Sequence, residues 1–80
     1  MSPPLKAAVL GAGSFGTALA SVLLEAGHEV WLWCFEEGHA DEVNQSGRNT
    51  RYQSDYPLDG IRATSSIEEA VRGADLTLFV

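Results

Sequence analysis

The stretch from Ala7 to Ala20 restricts what this chain can fold into more than any other. It opens with an apolar run, Ala7-Ala8-Val9-Leu10, of the kind that forms a strand buried inside a parallel sheet. Gly11, Gly13 and Gly16 follow at G-x-G-x-x-G spacing, and apolar residues then recur at helical intervals at Leu19, Val22, Leu23 and Ala26. The glycine spacing alone is weak evidence. Between a strand and a helix it becomes a specific signal for a turn that holds a dinucleotide.

Each glycine has a separate physical task in such a turn. Gly11 permits the sharp exit from the strand. Gly13 lacks a side chain, so a pyrophosphate can approach the backbone, and Gly16 lets the helix lie close against the strand. The N–H groups of the first helical turn, near Ser14 and Phe15, have no partner within the helix. They point at the phosphates, and the helix dipole favours the negative charge. Without a ligand, the same glycines would serve only to pack a strand on a helix.

The remaining composition narrows the choice. Eighty residues make one domain, which buries only ~60% of its unfolded surface and is expected to be marginally stable. With 45% hydrophobic and 20% charged residues the chain reads as globular rather than disordered. A net charge of −6 argues against nucleic acid as a partner, since that binding needs a basic surface. The single cysteine, Cys34, excludes an internal disulfide, and no Cys/His cluster has metal-ligand spacing. The N-terminus does not read as a signal peptide and no apolar run is long enough to span a membrane, so a soluble cytoplasmic protein is expected.

Along the chain, Pro3-Pro4 stiffens a short tail. A first strand is expected over Leu5–Leu10 and a first helix over Ser14–Ala26, with Gly27 as its C′ residue and His28 solvated in the turn. Glu29–Cys34 reads as a second strand. Its Val30-Trp31-Leu32-Trp33 is apolar on both faces, and the tryptophans are expected to pack in the core rather than stack on a base. At its tip, where a dinucleotide fold places an acid for the adenine ribose, stand Cys34-Phe35-Glu36-Glu37. Glu36 or Glu37 serves a ribose, or both are first-turn acids of the next helix.

Glu37–Gln45 has weak helical character with Ala40 and Val43 inward and His39 exposed. Ser46–Gly60 reads as a long polar loop, of a length uncommon unless functional or disordered, with Arg48 and Arg51 as its cations, which either reach a phosphate or stand as solvated charges, the more frequent case. Ile61–Thr64 forms a short third strand. Ser66 with Glu69, or Ser65 with Glu68, makes a capping box for a brief helix through Arg72, stopped by Gly73. Leu76–Val80 forms a fourth strand. This βαβαβαβ alternation implies an α/β fold, a Rossmann-type doubly wound parallel sheet in strand order 3-2-1-4. The apolar fourth strand is an edge that invites pairing with another copy, and a homodimer is among the expected assemblies.

The decapeptide Gly11-Ala12-Gly13-Ser14-Phe15-Gly16-Thr17-Ala18-Leu19-Ala20 closely resembles the opening of bacterial NAD(P)-dependent glycerol-3-phosphate dehydrogenases. The likeness continues through Gly27-His28-Glu29-Val30, Leu32-Trp33, Asn49-Thr50-Arg51-Tyr52, Ile61-Arg62-Ala63-Thr64 and Glu69-Ala70-Val71-Arg72-Gly73-Ala74-Asp75-Leu76. The resemblance implies reduction of dihydroxyacetone phosphate to sn-glycerol 3-phosphate by NAD(P)H, a product that feeds phospholipid synthesis. It implies that residues 1–80 are the N-terminal part of the NAD(P)-binding domain. The catalytic lysines and the helical domain that takes the small phosphorylated substrate would lie beyond. It assigns cofactor contacts to Ser14 and Phe15 through the turn of Gly11, Gly13 and Gly16, whose cofactor-binding role the glycine spacing already implies, places Phe35 beside the adenosine 2′ position and Tyr52 on the cofactor side, and assigns no catalytic residue here.

The sequence departs from the family pattern at two places. Cys34 and Phe35 stand where the family commonly has arginine or histidine, so a charge-assisted hydrogen bond to a 2′-phosphate, worth roughly 1.5–3 kcal/mol, is missing. The choice between NAD and NADP stays open, and Phe35 offers a surface for the adenine instead. Tyr52 is followed by Gln53-Ser54-Asp55 where the family usually has Leu-Pro-Gly. The competing reading is a non-catalytic nucleotide-binding module or a truncated remnant.

Overall fold

The computed structural model describes residues 4–52 and 55–80, which leaves the expected tail at Pro3 and the departure at Gln53 and Ser54 outside the described residues. The chain forms β1 (Lys6–Leu10), α1 (Ser14–Glu25), β2 (Glu29–Trp33), α2 (Glu37–Ser46), β3 (Arg62–Thr64), α3 (Ile67–Val71) and β4 (Leu76–Phe79). The strands make one sheet in the order β3-β2-β1-β4, parallel throughout. β1 pairs on both sides, with Val9 opposite Leu32 of β2 and Leu78 of β4. This is the expected alternation and strand order, with element ends within a residue or two of those read from the sequence.

Strand alternation sorts the core into two layers. Val9, Val30, Leu32, Cys34 and Ala63 pack with Ala20 of α1, with Ala40 and Val43 of α2, and with Leu58 and Ile61. On the opposite face Ala8 and Leu10 meet Ala70 of α3, with Trp31, Trp33, Val71 and Ala74 packed around them. The tryptophans were expected in the core, and they are only half-buried, because the helix on their face is five residues long. Lys6 Nζ lies 4.7 Å from the Trp31 ring centroid and covers part of it.

The helix ends follow local chemistry. After α1, His28 N–H donates to Leu23 O (3.1 Å) and Gly27 N–H to Leu24 O (2.9 Å), the pair of bonds that satisfies a helix's last carbonyls. His28 is not simply solvated: its Nδ1 accepts from Leu5 N–H at 3.0 Å, tying the turn to the start of β1. Of the two capping registers, the structure selects Ser66, whose Oγ accepts from Glu69 N–H at 3.1 Å. The segment between α2 and β3 is long but not a solvated polar loop. Leu58 and Asn49 within it are fully buried, Leu58 N–H bonds Gly47 O (2.9 Å), and Ser21 Oγ of α1 donates to Pro57 O (3.0 Å).

Candidate functional site

The glycine turn closes the carboxyl end of β1 over the N-terminus of α1. Gly11 has φ +139°, which L side chains rarely adopt. A Cβ on Gly16 would stand 1.8 Å from the Gly11 carbonyl oxygen, so any side chain there drives the helix off the strand. Gly13 differs from both. Its φ is −81°, open to any residue, and a Cβ on it would meet nothing within 4 Å. The fold therefore requires glycine at positions 11 and 16 but not at 13, where the missing side chain leaves open space before the helix.

That space faces bare N–H groups. Gly13 is the N-cap of α1 and provides no side-chain cap, and the first turn carries no acidic residue. Thr17 closes the turn from behind, with both its N–H (3.0 Å) and its Oγ1 (2.7 Å) donating to Gly13 O. Ser14 and Phe15 are exposed at the helix start, and Phe15 is 69% accessible. A helix end in this state attracts an anion through directed donors and through the dipole.

A buried polar network holds this turn to the second wall of the site. Asn49 is fully buried and its Nδ2 donates to Ala12 O and to Thr17 Oγ1, both at 2.8 Å. Its Oδ1 then accepts, from His39 Nε2 at 2.7 Å and from Tyr52 N–H at 3.3 Å. With Oδ1 as acceptor, the proton of that bond sits on His39 Nε2. Such satisfied networks fix geometry because breaking one leaves buried groups unpaired. The expectation of an exposed His39 is corrected: the residue is 6% accessible. His39 stands four residues before Val43 and so shares the inward face of α2, a signal that was available in the sequence. Asn49 gave none beyond its place in the resemblance.

Between the two walls lies a cleft of about 220 Å³ lined by Ala12, Gly13, Phe35, Glu36, His39, Arg51 and Tyr52. Phe35 is 83% exposed and meets Trp33 edge-on, centroids 6.2 Å apart. Tyr52 tilts against His39 at 6.0 Å. Arg51 was expected to be a solvated loop charge. Instead its guanidinium spans two carboxylates, Nη1 to Glu36 Oε1 at 2.9 Å and Nη2 to Glu42 Oε2 at 2.6 Å. Hydrogen bonding to Arg51 holds the Glu42 carboxyl below its ordinary range. Glu36 is the N-cap of α2 without a capping side-chain bond, and only Glu37 belongs to the first turn. The reading of both as first-turn acids is thus half right. Arg48 Nη1 donates to Asp55 O at 3.1 Å, within its own segment.

Of the residues singled out in the sequence, Gly13, Phe35 and Tyr52 converge on this cleft, and Ser14 and Phe15 stand at the helix end beside Gly13. Gly11 and Gly16 shape the turn from behind. Glu36, His39, Arg51 and Ala12 complete the lining. Cys34 lies beneath it, fully buried, and burial pushes its thiol up to about 11, which keeps it protonated and poorly nucleophilic.

A parallel sheet in 3-2-1-4 order, helices on both faces, and a glycine turn opening on a cleft at the carboxyl ends of β1 and β2 define a doubly wound, dinucleotide-binding α/β protein. The family model for the N-terminus of NAD-dependent glycerol-3-phosphate dehydrogenase matches residues 6–80. The chain belongs to that family. It is 49% identical over 76 residues to a glycerol-3-phosphate dehydrogenase [NAD(P)+] of Streptococcus uberis, covering 94% of this chain and 22% of that protein. The similarly named protein of Limosilactobacillus fermentum is 45% identical over 76 residues, covering 94% of this chain and 23% of the relative. The crystal structure of glycerol-3-phosphate dehydrogenase from Coxiella burnetii superposes with a TM-score of 0.85 at 39% identity, covering 95% of this chain and 24% of that one. The chain thus spans less than a quarter of the length of these relatives.

Proposed function

We propose that this chain forms the adenosine- and pyrophosphate-holding part of the cofactor site of an NAD(P)-dependent glycerol-3-phosphate dehydrogenase. The observation that carries the reading is Gly13, whose lack of a side chain the fold does not need and an approaching pyrophosphate does. In this reading the N–H groups of Ser14 and Phe15 receive the pyrophosphate at the start of α1. Phe35 and Tyr52 flank the adenosine, while Gly11 and Gly16 hold the turn in shape. The nicotinamide supplies the hydride that converts dihydroxyacetone phosphate to sn-glycerol 3-phosphate, and these residues supply position and electrostatics. Groups that transfer protons and bind the phosphorylated substrate are assigned to the part of the relatives that this chain does not match. A cytoplasmic location, a product used in phospholipid synthesis and a homodimer belong to the same proposal. Among the described residues no helix is long and apolar enough to cross a membrane.

The test is Gly13→Ala. A methyl group at position 13 meets open space, and the backbone already has an ordinary φ, so stability changes by less than about 1 kcal/mol. Titration with NADH, followed through the amide resonances of residues 11–16, is expected to show binding to the unsubstituted protein and at least about tenfold weaker binding to the variant. Equal binding by both proteins refutes the assignment of Gly13. No binding by a folded unsubstituted protein refutes the cofactor reading and leaves a remnant or inactive module.

A further inference from the structure

The charged groups lining the cleft are not spread evenly. Glu36 and Arg51 line it as an ion pair, and Glu42 grips the other end of the same guanidinium. Together the three groups carry one net negative charge. Glu36 stands just past the carboxyl end of β2, where a doubly wound fold places the adenine ribose. We infer that Glu36, held in place by Arg51, selects a cofactor with a free 2′-hydroxyl, so that this site takes NAD(H) in preference to NADP(H). The inference deepens the cofactor reading above and rests on it.

The chemistry of the two candidate ligands separates them at this point. A ribose hydroxyl is a donor. The Glu36 carboxylate has two acceptor oxygens and, in its ion pair, meets Arg51 through Oε1, so it can accept a hydrogen bond from the hydroxyl without giving up that pair. A 2′-phosphate brings about two negative charges and acceptor oxygens only. It would face Glu36 with like charge and no proton to share. Arg51 is the cation on the cleft wall, and both ends of its fork are already engaged, at 2.9 Å and 2.6 Å. To bind the phosphate it would have to abandon at least one carboxylate. Phe35 beside it is apolar and offers stacking area, not charge. Arg51 therefore acts here as a positioning residue for Glu36 and becomes a phosphate ligand only when the acids release it.

The experiment measures the affinities of NADH and NADPH separately on the purified protein, by calorimetry or by the fluorescence of the bound nicotinamide. The unsubstituted protein is expected to bind NADH about tenfold tighter or more. Glu36→Gln removes the repulsion and leaves Nη1 of Arg51 with a neutral acceptor, which a phosphate displaces more readily than a carboxylate. The ratio is expected to move toward NADPH by at least about tenfold, with NADPH binding itself improved. Adding Arg51→Gln to that variant is expected to abolish the improvement. NADPH bound as tightly as NADH by the unsubstituted protein, or a ratio unmoved by Glu36→Gln in a folded variant, overturns the inference while leaving the cofactor reading intact. Failure of both dinucleotides to bind the unsubstituted protein overturns both. Should Glu36→Gln not fold, Glu36→Ala takes its place, with the same expected shift of the ratio toward NADPH.

Discussion

The two walls of the cleft are built in opposite ways. The β1–α1 wall is made of backbone: its shape comes from side chains that are absent at Gly11, Gly13 and Gly16. The β2–α2 wall and the segment after it are made of side chains: Phe35, Glu36, His39, Arg51 and Tyr52. Steric exclusion fixes the first wall and tolerates no substitution at its closest approach. Hydrogen bonds and ion pairs fix the second, which can be edited one group at a time. A wall of the first kind suits a ligand part that never varies, such as a pyrophosphate. The second suits the part where two cofactors differ.

Substitutions can break this contrast, and the largest effect is expected at Gly16. Gly16→Ala places a methyl carbon 1.8 Å from a backbone carbonyl oxygen, which a flexible neighbour cannot relieve. A loss of more than about 3 kcal/mol in urea unfolding is expected, and a loss below about 1 kcal/mol would show that α1 is free to shift.

Asn49→Ala comes next. It strips partners from Ala12 O, Thr17 Oγ1 and His39 Nε2 in a buried site. About 2 kcal/mol of stability is expected to go, with the amide resonances of Ala12 and Gly13 displaced as well. An unchanged turn would mean that the two walls are set independently. A smaller, pH-driven effect is expected at Cys34 beneath the second wall. Its thiol is pushed up to about 11 in the folded protein, above its value in the unfolded chain, so the folded state binds more protons once the unfolded thiol ionises. Stability is then full below the unfolded pKa and falls as pH rises toward the folded one, by about 1 kcal/mol between pH 9 and 10. Cys34→Ala should flatten that part of the stability curve.

The same contrast governs what could be read in the sequence. The first wall was legible because its causes are local: an apolar run, three glycines and a helical period within Ala7–Ala20. The cap of α3 was legible to within two adjacent registers for the same reason, since a cap acts over three residues, and the structure chose Ser66. The second wall depends on partners far apart in the chain. Asn49 reaches Thr17 across 32 residues and Arg51 reaches Glu36 across 15, and nothing in their spacing announces either pair. The polarity of the His39 side chain suggests exposure, whereas its place on the inner face of α2 buries it. The composition of β2 implies a fully covered strand for Trp31 and Trp33 and does not disclose how short the covering helix is.

β1 is paired on both edges, and its Ala8 and Val9 are fully buried. Its amides can exchange with solvent only when the sheet itself comes apart, so β1 belongs to the last unit of the molecule to open. Asn49, by contrast, is held by side-chain hydrogen bonds and not by a paired strand, so its local opening does not require the sheet to come apart. Because Asn49 grips the turn at Ala12 and Thr17, that local opening frees the turn from its second wall, and a ligand that needs the turn in its folded shape opposes it. A ligand seated on the turn is therefore expected to slow hydrogen exchange at Asn49 and Tyr52, and to slow the amides of β1 as well, because the opening that exposes them also destroys the ligand's seat.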